Sequence, residues 1–196
     1  MAIIHGTTIG GEGILSGVSV EVKNEQFETI YETVSDEAGF FSLSVPDGVY
    51  PFLTAVREYG DRYLEYWAQN VPAQRELTLD VRIDTVEVYG LHAFHVKGAA
   101  NAVTVYFRPM SLYKFKSGAH DIAPELDKHG ITVLVDGQQS EIYSLNRVQE
   151  YAGENVGLLT AYLLQASVPQ DADEWKRVDV TVRDSDGRFG CATLFR

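Results

Sequence analysis

The feature that most constrains this chain is an apolar repeat of two residues. Val18, Val20 and Val22 alternate with Ser19, Glu21 and Lys23, and Leu77, Leu79, Val81 and Ile83 alternate with Glu76, Thr78, Asp80 and Arg82. The same beat returns at Val103, Val105 and Phe107, and at Val178, Val180 and Val182 between Arg177, Asp179, Thr181 and Arg183. Successive side chains of a strand point to opposite faces. The beat therefore builds strands with one apolar face, which a second sheet must cover. Asp36-Glu37-Ala38-Gly39, Pro46-Asp47-Gly48, Asp136-Gly137 and Asp184-Ser185-Asp186-Gly187 supply turns between such strands.

The pattern predicts an all-β protein of two consecutive β-sandwich domains. Residues 1–85 hold seven expected strands, near 2–7, 17–23, 27–34, 39–45, 48–57, 62–70 and 75–83. Residues 86–196 hold about eight, near 86–96, 101–108, 131–136, 139–145, 147–152, 157–167, 176–183 and 188–195. Val20, Val22, Phe41, Leu43, Leu79 and Val81 are the expected first core, and the unit ending near Thr85 is expected to fold alone. In the long irregular stretch 109–130, Pro124 is placed to open one helical turn through Asp127.

Charge narrows the partners. Of the net charge of −12, residues 1–84 carry −9, from 14 Asp and Glu against 5 Lys and Arg, and residues 85–196 carry −3, from 14 against 11. Such a surface repels a phosphate backbone and an anionic bilayer, which argues against nucleic-acid and membrane partners. The single cysteine, Cys191, lies in an apolar run and reads as a small buried thiol, so the fold does not depend on an oxidising compartment. The start of the chain lacks the basic segment and apolar core of a signal peptide. The expected setting is the cytoplasm, or a piece cut from a secreted chain.

Between residues 17 and 50 the pattern is more specific: Gly17-Val18-Ser19-Val20-Glu21-Val22, then Thr33-Val34-Ser35-Asp36-Glu37-Ala38-Gly39-Phe40-Phe41-Ser42-Leu43, then Pro46-Asp47-Gly48-Val49-Tyr50. This resembles the carboxypeptidase regulatory-like domain, a transthyretin-like seven-stranded sandwich, over roughly the first 85 residues. The resemblance implies a fold and an accessory role, not an activity. The Tyr-Arg-Gly-Ser ending of transthyretin-like hydrolases and the His-x-His pair of intradiol dioxygenases do not occur in this sequence.

No spacing predicts a catalytic set, a cofactor or a metal centre. His92 and His95 stand an odd number of residues apart, which puts them on opposite faces of a strand. Asp184-x-Asp186-Gly187 lacks the distal bidentate Glu of a calcium loop. No Gly-x-Ser-x-Gly elbow is present, and Lys23 falls on the outward side of its strand. The richest cluster is Tyr59 to Asn70. Alternation there groups Tyr63, Glu65, Trp67 and Gln69 on one face, with Leu64, Tyr66, Ala68 and Asn70 on the other. Aromatic rings beside an acid and an amide suit a saccharide, whose C–H faces stack and whose hydroxyls bond. Equally, one aromatic pair can fill the core while the other seals the domain junction. Tyr106, Arg108, Met110, Tyr113 and Phe115 form a second aromatic-rich stretch suited to an interface. The sequence therefore points to a non-catalytic module for a polysaccharide or a protein. A hydrolase with its site at the junction or in 109–130, and a structural assembly subunit, are the alternatives.

Overall fold

The computed structural model describes residues 1–99, 101–154, 156–168 and 174–196. The first half contributes β1 (Ala2–Gly10), β2 (Gly13–Ile14), β3 (Ser19–Lys23), β4 (Thr29–Val34), β5 (Phe40–Val45), β6 (Gly48–Val56), β7 (Tyr66–Ala73), β8 (Glu76–Thr78) and β9 (Val81–Arg82). The second contributes β10 (Val86–Phe94), β11 (Ala102–Ser111), the short helix α1 (Leu112–Lys116), β12 (Ile131–Val135), β13 (Gln138–Gln139), β14 (Ile142–Tyr151), β15 (Leu158–Ser167), β16 (Arg177–Arg183) and β17 (Phe189–Phe195). The protein is all-β and built as sandwiches.

The described residues form three sheets. One runs β13-β12-β16-β17-β7-β6-β3-β4; a second gathers β2, β5, β8 and β9 around β1; the third runs β10-β11-β15-β14. The long sheet crosses from one half of the chain to the other because β17 pairs in parallel with β7, Ala192 opposite Trp67 and Leu194 opposite Gln69. The β1 sheet covers the β7-β6-β3 half, closing a core of Ile4, Val20, Val22, Phe41, Leu53 and Val81. The β10 sheet covers the β12-β16-β17 half, closing a second core of Val88, Val105, Phe107, Val133, Val180 and Leu164. The two covers lie on opposite faces. Along β17, Phe189, Cys191 and Phe195 join the first core, while Ala192 and Leu194 join the second, as strand alternation requires. Each half of the long sheet is thus left with one uncovered face.

Several boundaries differ from those expected. The strand expected at 62–70 begins only at Tyr66. The residues before it form a tight loop in which the Glu58 carbonyl accepts from Asp61 and Arg62. The strand expected at 75–83 is two short pieces, β8 and β9, each parallel to β1. The two expected at 139–145 and 147–152 are one strand, β14, with a bulge near its start. The helical turn expected at Pro124–Asp127 is absent. Asp127 instead caps a following 3-10 turn, Lys128–Gly130, by accepting from the His129 and Gly130 amides, so the helix starts after the acid. The helix in this stretch is α1, capped by Ser111. Asp36 and Asp184 hold their turns as expected, each accepting amides two and four residues on, Ala38 and Phe40 for the first, Asp186 and Arg188 for the second.

A fragment of residues 1–85 would lack Phe189, Cys191 and Phe195 from its core and leave β7 unpaired on one edge. Burial of one large apolar side chain is worth about 1.5–3 kcal/mol. The fragment is expected to melt well below the intact chain, and the intact chain in a single transition; two separated calorimetric transitions would show independent units.

Gly190 packs where β17 passes under β10, and a Cβ there would sit 2.3 Å from the Val86 carbonyl oxygen. Backbone cannot yield as a flexible side chain can. Gly190→Ala is expected to lose about 1–3 kcal/mol, measured by urea unfolding.

Candidate functional site

The uncovered face of the β7-β6-β3 half carries Trp67, Phe52, Glu21 and Lys23, the polar-side positions of their strands. It meets β10 at a corner, where Glu87 and Tyr89 point toward it. Trp67 organises this corner. Its indole Nε1 donates to Glu87 Oε1 at 2.9 Å, and the Glu65 amide donates to Glu87 Oε2 at 3.3 Å. Gln69 Nε2 donates to the Leu91 carbonyl at 2.6 Å. Around the indole stand three rings: Phe27 stacked at 5.1 Å and 21°, Phe52 edge-on at 6.1 Å and Tyr89 edge-on at 5.3 Å.

Phe27 is held there by its loop. Asn24 Oδ1 accepts the amides of Gln26 and Glu28, and the Asn24 carbonyl accepts that of Phe27. This turn puts Phe27 at φ +66°, the left-handed region, which is uncommon for a bulky side chain. The outcome is a ring 43% exposed, lying over Trp67. Lys23 Nζ lies 4.8 Å from the centre of the same ring and pairs with Glu21 at 2.5 Å. Lys23 does lie on the outward side of β3, but these neighbours bury it.

The strip continues onto the second sheet. The Arg108 guanidinium lies 4.7 Å over the Tyr89 ring and 3.5 Å from Glu150, which also accepts from the Tyr106 hydroxyl. Burial and this carboxylate push Tyr106 up to about 12. Beyond Arg108 opens a pocket of about 230 Å³, walled by Tyr89, Pro109, Met110, Ile122 and Leu159, with Asp121 and Thr160 at its polar side. Asp121 accepts from Arg147 at 2.6 Å and Thr160 at 2.8 Å, and these bonds hold its carboxyl below the usual range against the opposing effect of burial.

The expected site residues therefore divide. Glu65, Trp67 and Gln69 share one face, and all three are engaged at the junction. Tyr63 does not join them. It lies before β7, bridged to Tyr59, and packs against the first core, because the loop at 58–63 breaks the strand phase on which the alignment depended. Tyr106, Arg108 and Met110 face the strip and pocket, whereas Tyr113 and Phe115 sit apart on α1, Tyr113 beneath Arg188 at 3.8 Å. Sequence reasoning missed Phe27, Phe52, Tyr89 and Glu87. An aromatic inside the polar turn Asn24-Glu25-Gln26-Phe27-Glu28 was the available signal; Glu87 gave none, since it fills an ordinary polar position between Val86 and Val88. His92 and His95 stand on either side of the end of β10 and line one cavity with Trp175 and Phe195; the strand ends at Phe94, so strand alternation no longer governs His95. Among the described residues no three metal-ligating side chains gather.

Glu87 is 1% exposed, and burial pushes its carboxyl up to about 7, against the pull of the Glu65 amide and the indole. Burial and the negative charge of Glu87 push Tyr59 up to about 12. With both oxygens occupied from within, Glu87 latches the two sheets and does not reach a substrate. Burial likewise raises Glu65.

No protein-family model matches the chain, and no curated protein matches it. Among solved structures it is similar to a proposed carbohydrate-binding protein from Bacteroides uniformis ATCC 8492, at 12% identity and a TM-score of 0.34, covering 100% of this chain and 99% of that one. It is also similar to the N-terminal eight Ig domains of Down Syndrome Cell Adhesion Molecule, at 13% identity and a TM-score of 0.26, covering 98% of this chain and 26% of that one. Likeness of this degree assigns no ligand and no activity.

The Glu87 carboxyl fixes a pH dependence. Its folded pKa, about 7, lies above the ordinary 4.5, so the native state binds more protons than the unfolded chain between those values. Stability from this group is complete below about pH 4.5, falls as pH rises, and is lost above about 7. At about 1.4 kcal/mol per pH unit the loss is on the order of 3 kcal/mol. Glu87→Gln, an isostere of the neutral acid, is expected to gain stability over the parent chain as pH rises from about 5 to about 8, read from urea melts at both values; parallel pH profiles would contradict the latch.

Proposed function

We propose that the protein is a non-catalytic binding module that holds a neutral saccharide in the corner between its sandwiches. The observation that carries this reading is the continuous strip Phe27, Trp67, Tyr89 and Arg108 ending in the 230 Å³ pocket. The pocket is smaller than the roughly 300–1,000 Å³ of drug-sized ligand sites, which suits one sugar ring. Apolar walls at Met110 and Leu159 face the C–H side of such a ring, and Arg108, Asp121 and Thr160 face its hydroxyls. The net charge of −9 on residues 1–84 favours an uncharged chain over an acidic one at this corner. A strained Phe27 backbone, kept for the sake of a half-exposed ring, also supports a surface built for contact. The first half we read as a carboxypeptidase regulatory-like sandwich ending near residue 85, with residues 86–196 supplying the pocket. A protein partner is the second reading, and Tyr113 and Phe115, 55% and 64% exposed on α1, favour it.

Electrophoresis through gels containing neutral polysaccharides tests the saccharide reading. A stacked ring contributes about 1 kcal/mol, so affinities nearer millimolar than nanomolar are expected. Phe27→Gly relieves the backbone while removing the ring; it is expected to keep the melting temperature within a few degrees and to abolish retardation. Trp67→Ala is expected to cost several kcal/mol of stability as well, because Glu87 loses its indole donor. Retardation by no neutral polysaccharide, or retardation unchanged in Phe27→Gly, would remove the saccharide reading.

A further inference from the structure

The long sheet has a second uncovered face, on the opposite side of the molecule. The β1 sheet reaches β17 and stops there at β9, leaving β12 and β16 uncovered, and the step between them is a groove of about 410 Å³. Arg82 on β9 forms one wall, Arg177 and Arg183 rise from β16, and His129 stands at the rim. Two acids, Asp80 and Asp179, line the same groove. Both are already engaged. Arg177 grips Asp179 through Nε at 2.8 Å and Nη2 at 2.8 Å, and Thr193 donates to the same carboxylate at 2.5 Å. Asp80 accepts the Thr7 amide at 3.1 Å and its hydroxyl at 2.8 Å.

The two remaining arginines are differently placed. Arg183 donates to the Gly187 carbonyl, which orients its guanidinium without neutralising it. Among the described residues no carboxylate pairs with Arg82 or Arg183. Arg82 and Arg183 line the same groove, with the Cys191 thiol in its lining as well. Between them Thr132 and Thr181, opposite each other on β12 and β16, present hydroxyl positions on a flat floor. The floor is held rigid by the relay in which Tyr66 donates to Thr193 at 2.7 Å and Thr193 to Asp179.

We propose that this groove is a second binding site, for an acidic saccharide. Guanidinium forks match carboxylate and sulfate oxygens, and threonine hydroxyls match ring hydroxyls. In a chain of net charge −12, a cleft with three arginines against two acids is where the field admits an anion. The site stands apart from the Trp67 corner, and neither depends on the other.

Calorimetric titration with an oligogalacturonate, a sulfated heparin fragment, a neutral oligosaccharide of equal length and a polyglutamate tests the proposal. One of the two acidic saccharides is expected to bind, with affinity falling as salt rises; the pair separates carboxylate from sulfate as the recognised group. Arg82→Gln with Arg183→Gln is expected to weaken binding about tenfold or more while the melting temperature holds. Phe27→Gly is expected to leave it unchanged, so failure of the corner site and failure of the groove are distinguished. Binding of neither acidic saccharide, equal binding of the neutral chain or of polyglutamate, or affinity unaffected by the double substitution would each overturn it. If the double substitution unfolds the chain, Arg82→Gln alone, on an exposed side chain, is expected to weaken binding with the fold intact, and unchanged affinity in that variant would overturn the proposal.

Discussion

The rest of the structure depends on the parallel pairing of β17 with β7. Without it the two stacks of sheets would be joined by the chain at Ile83–Val86 and by the side-chain bonds of Glu87 and Gln69. With it, one sheet of eight strands runs through the molecule and the last strand feeds both cores. This is possible because β17 is mainly apolar on both sides, every residue from Phe189 to Phe195 is buried, and its buried Thr193 hydroxyl is bonded to Tyr66 and Asp179. A strand covered on both faces loses the usual alternation of polar and apolar residues, and β17 shows that loss against its neighbour β16, which keeps it.

The two covering sheets lie on opposite faces of the shared one, so the molecule has two steps, and their chemistry diverges. At the first step, aromatic rings and a buried carboxylate meet. Glu87 occupies the seam, drawing an indole N–H and a backbone amide together. Its burial is tolerable because both oxygens are bonded and because the neutral acid is accessible near neutral pH. At the second step the seam is polar, and arginine–aspartate pairing orders the floor while two guanidinium groups remain unmatched among the described residues.

These differences bear on function through what each step leaves exposed. The indole is almost enclosed by Phe27, Phe52 and Tyr89, so the corner offers ring edges, the outer face of Phe27 and the pocket beyond Arg108 rather than a bare tryptophan. The energy of the aromatic cluster goes largely into fixing the angle between the sheets. Contact with a ligand is then made by groups already held in place, which lowers the ordering cost of binding.

The sequence by itself determined the strands, most of their turns and the existence of two apolar cores, because alternation and turn chemistry are local and survive any tertiary arrangement. It also placed Glu65, Trp67 and Gln69 on one face, since three positions within one strand share its phase. It misplaced Tyr63, for the loop at 58–63 resets that phase, and Glu87 looked like an ordinary outward acid. Only the tertiary structure decided that β17 would pair with β7, more than a hundred residues earlier in the chain, and that Phe27 would fold over Trp67. Pairing of distant strands is set by which apolar faces find cover, and that is a property of the assembled sheets rather than of any one segment.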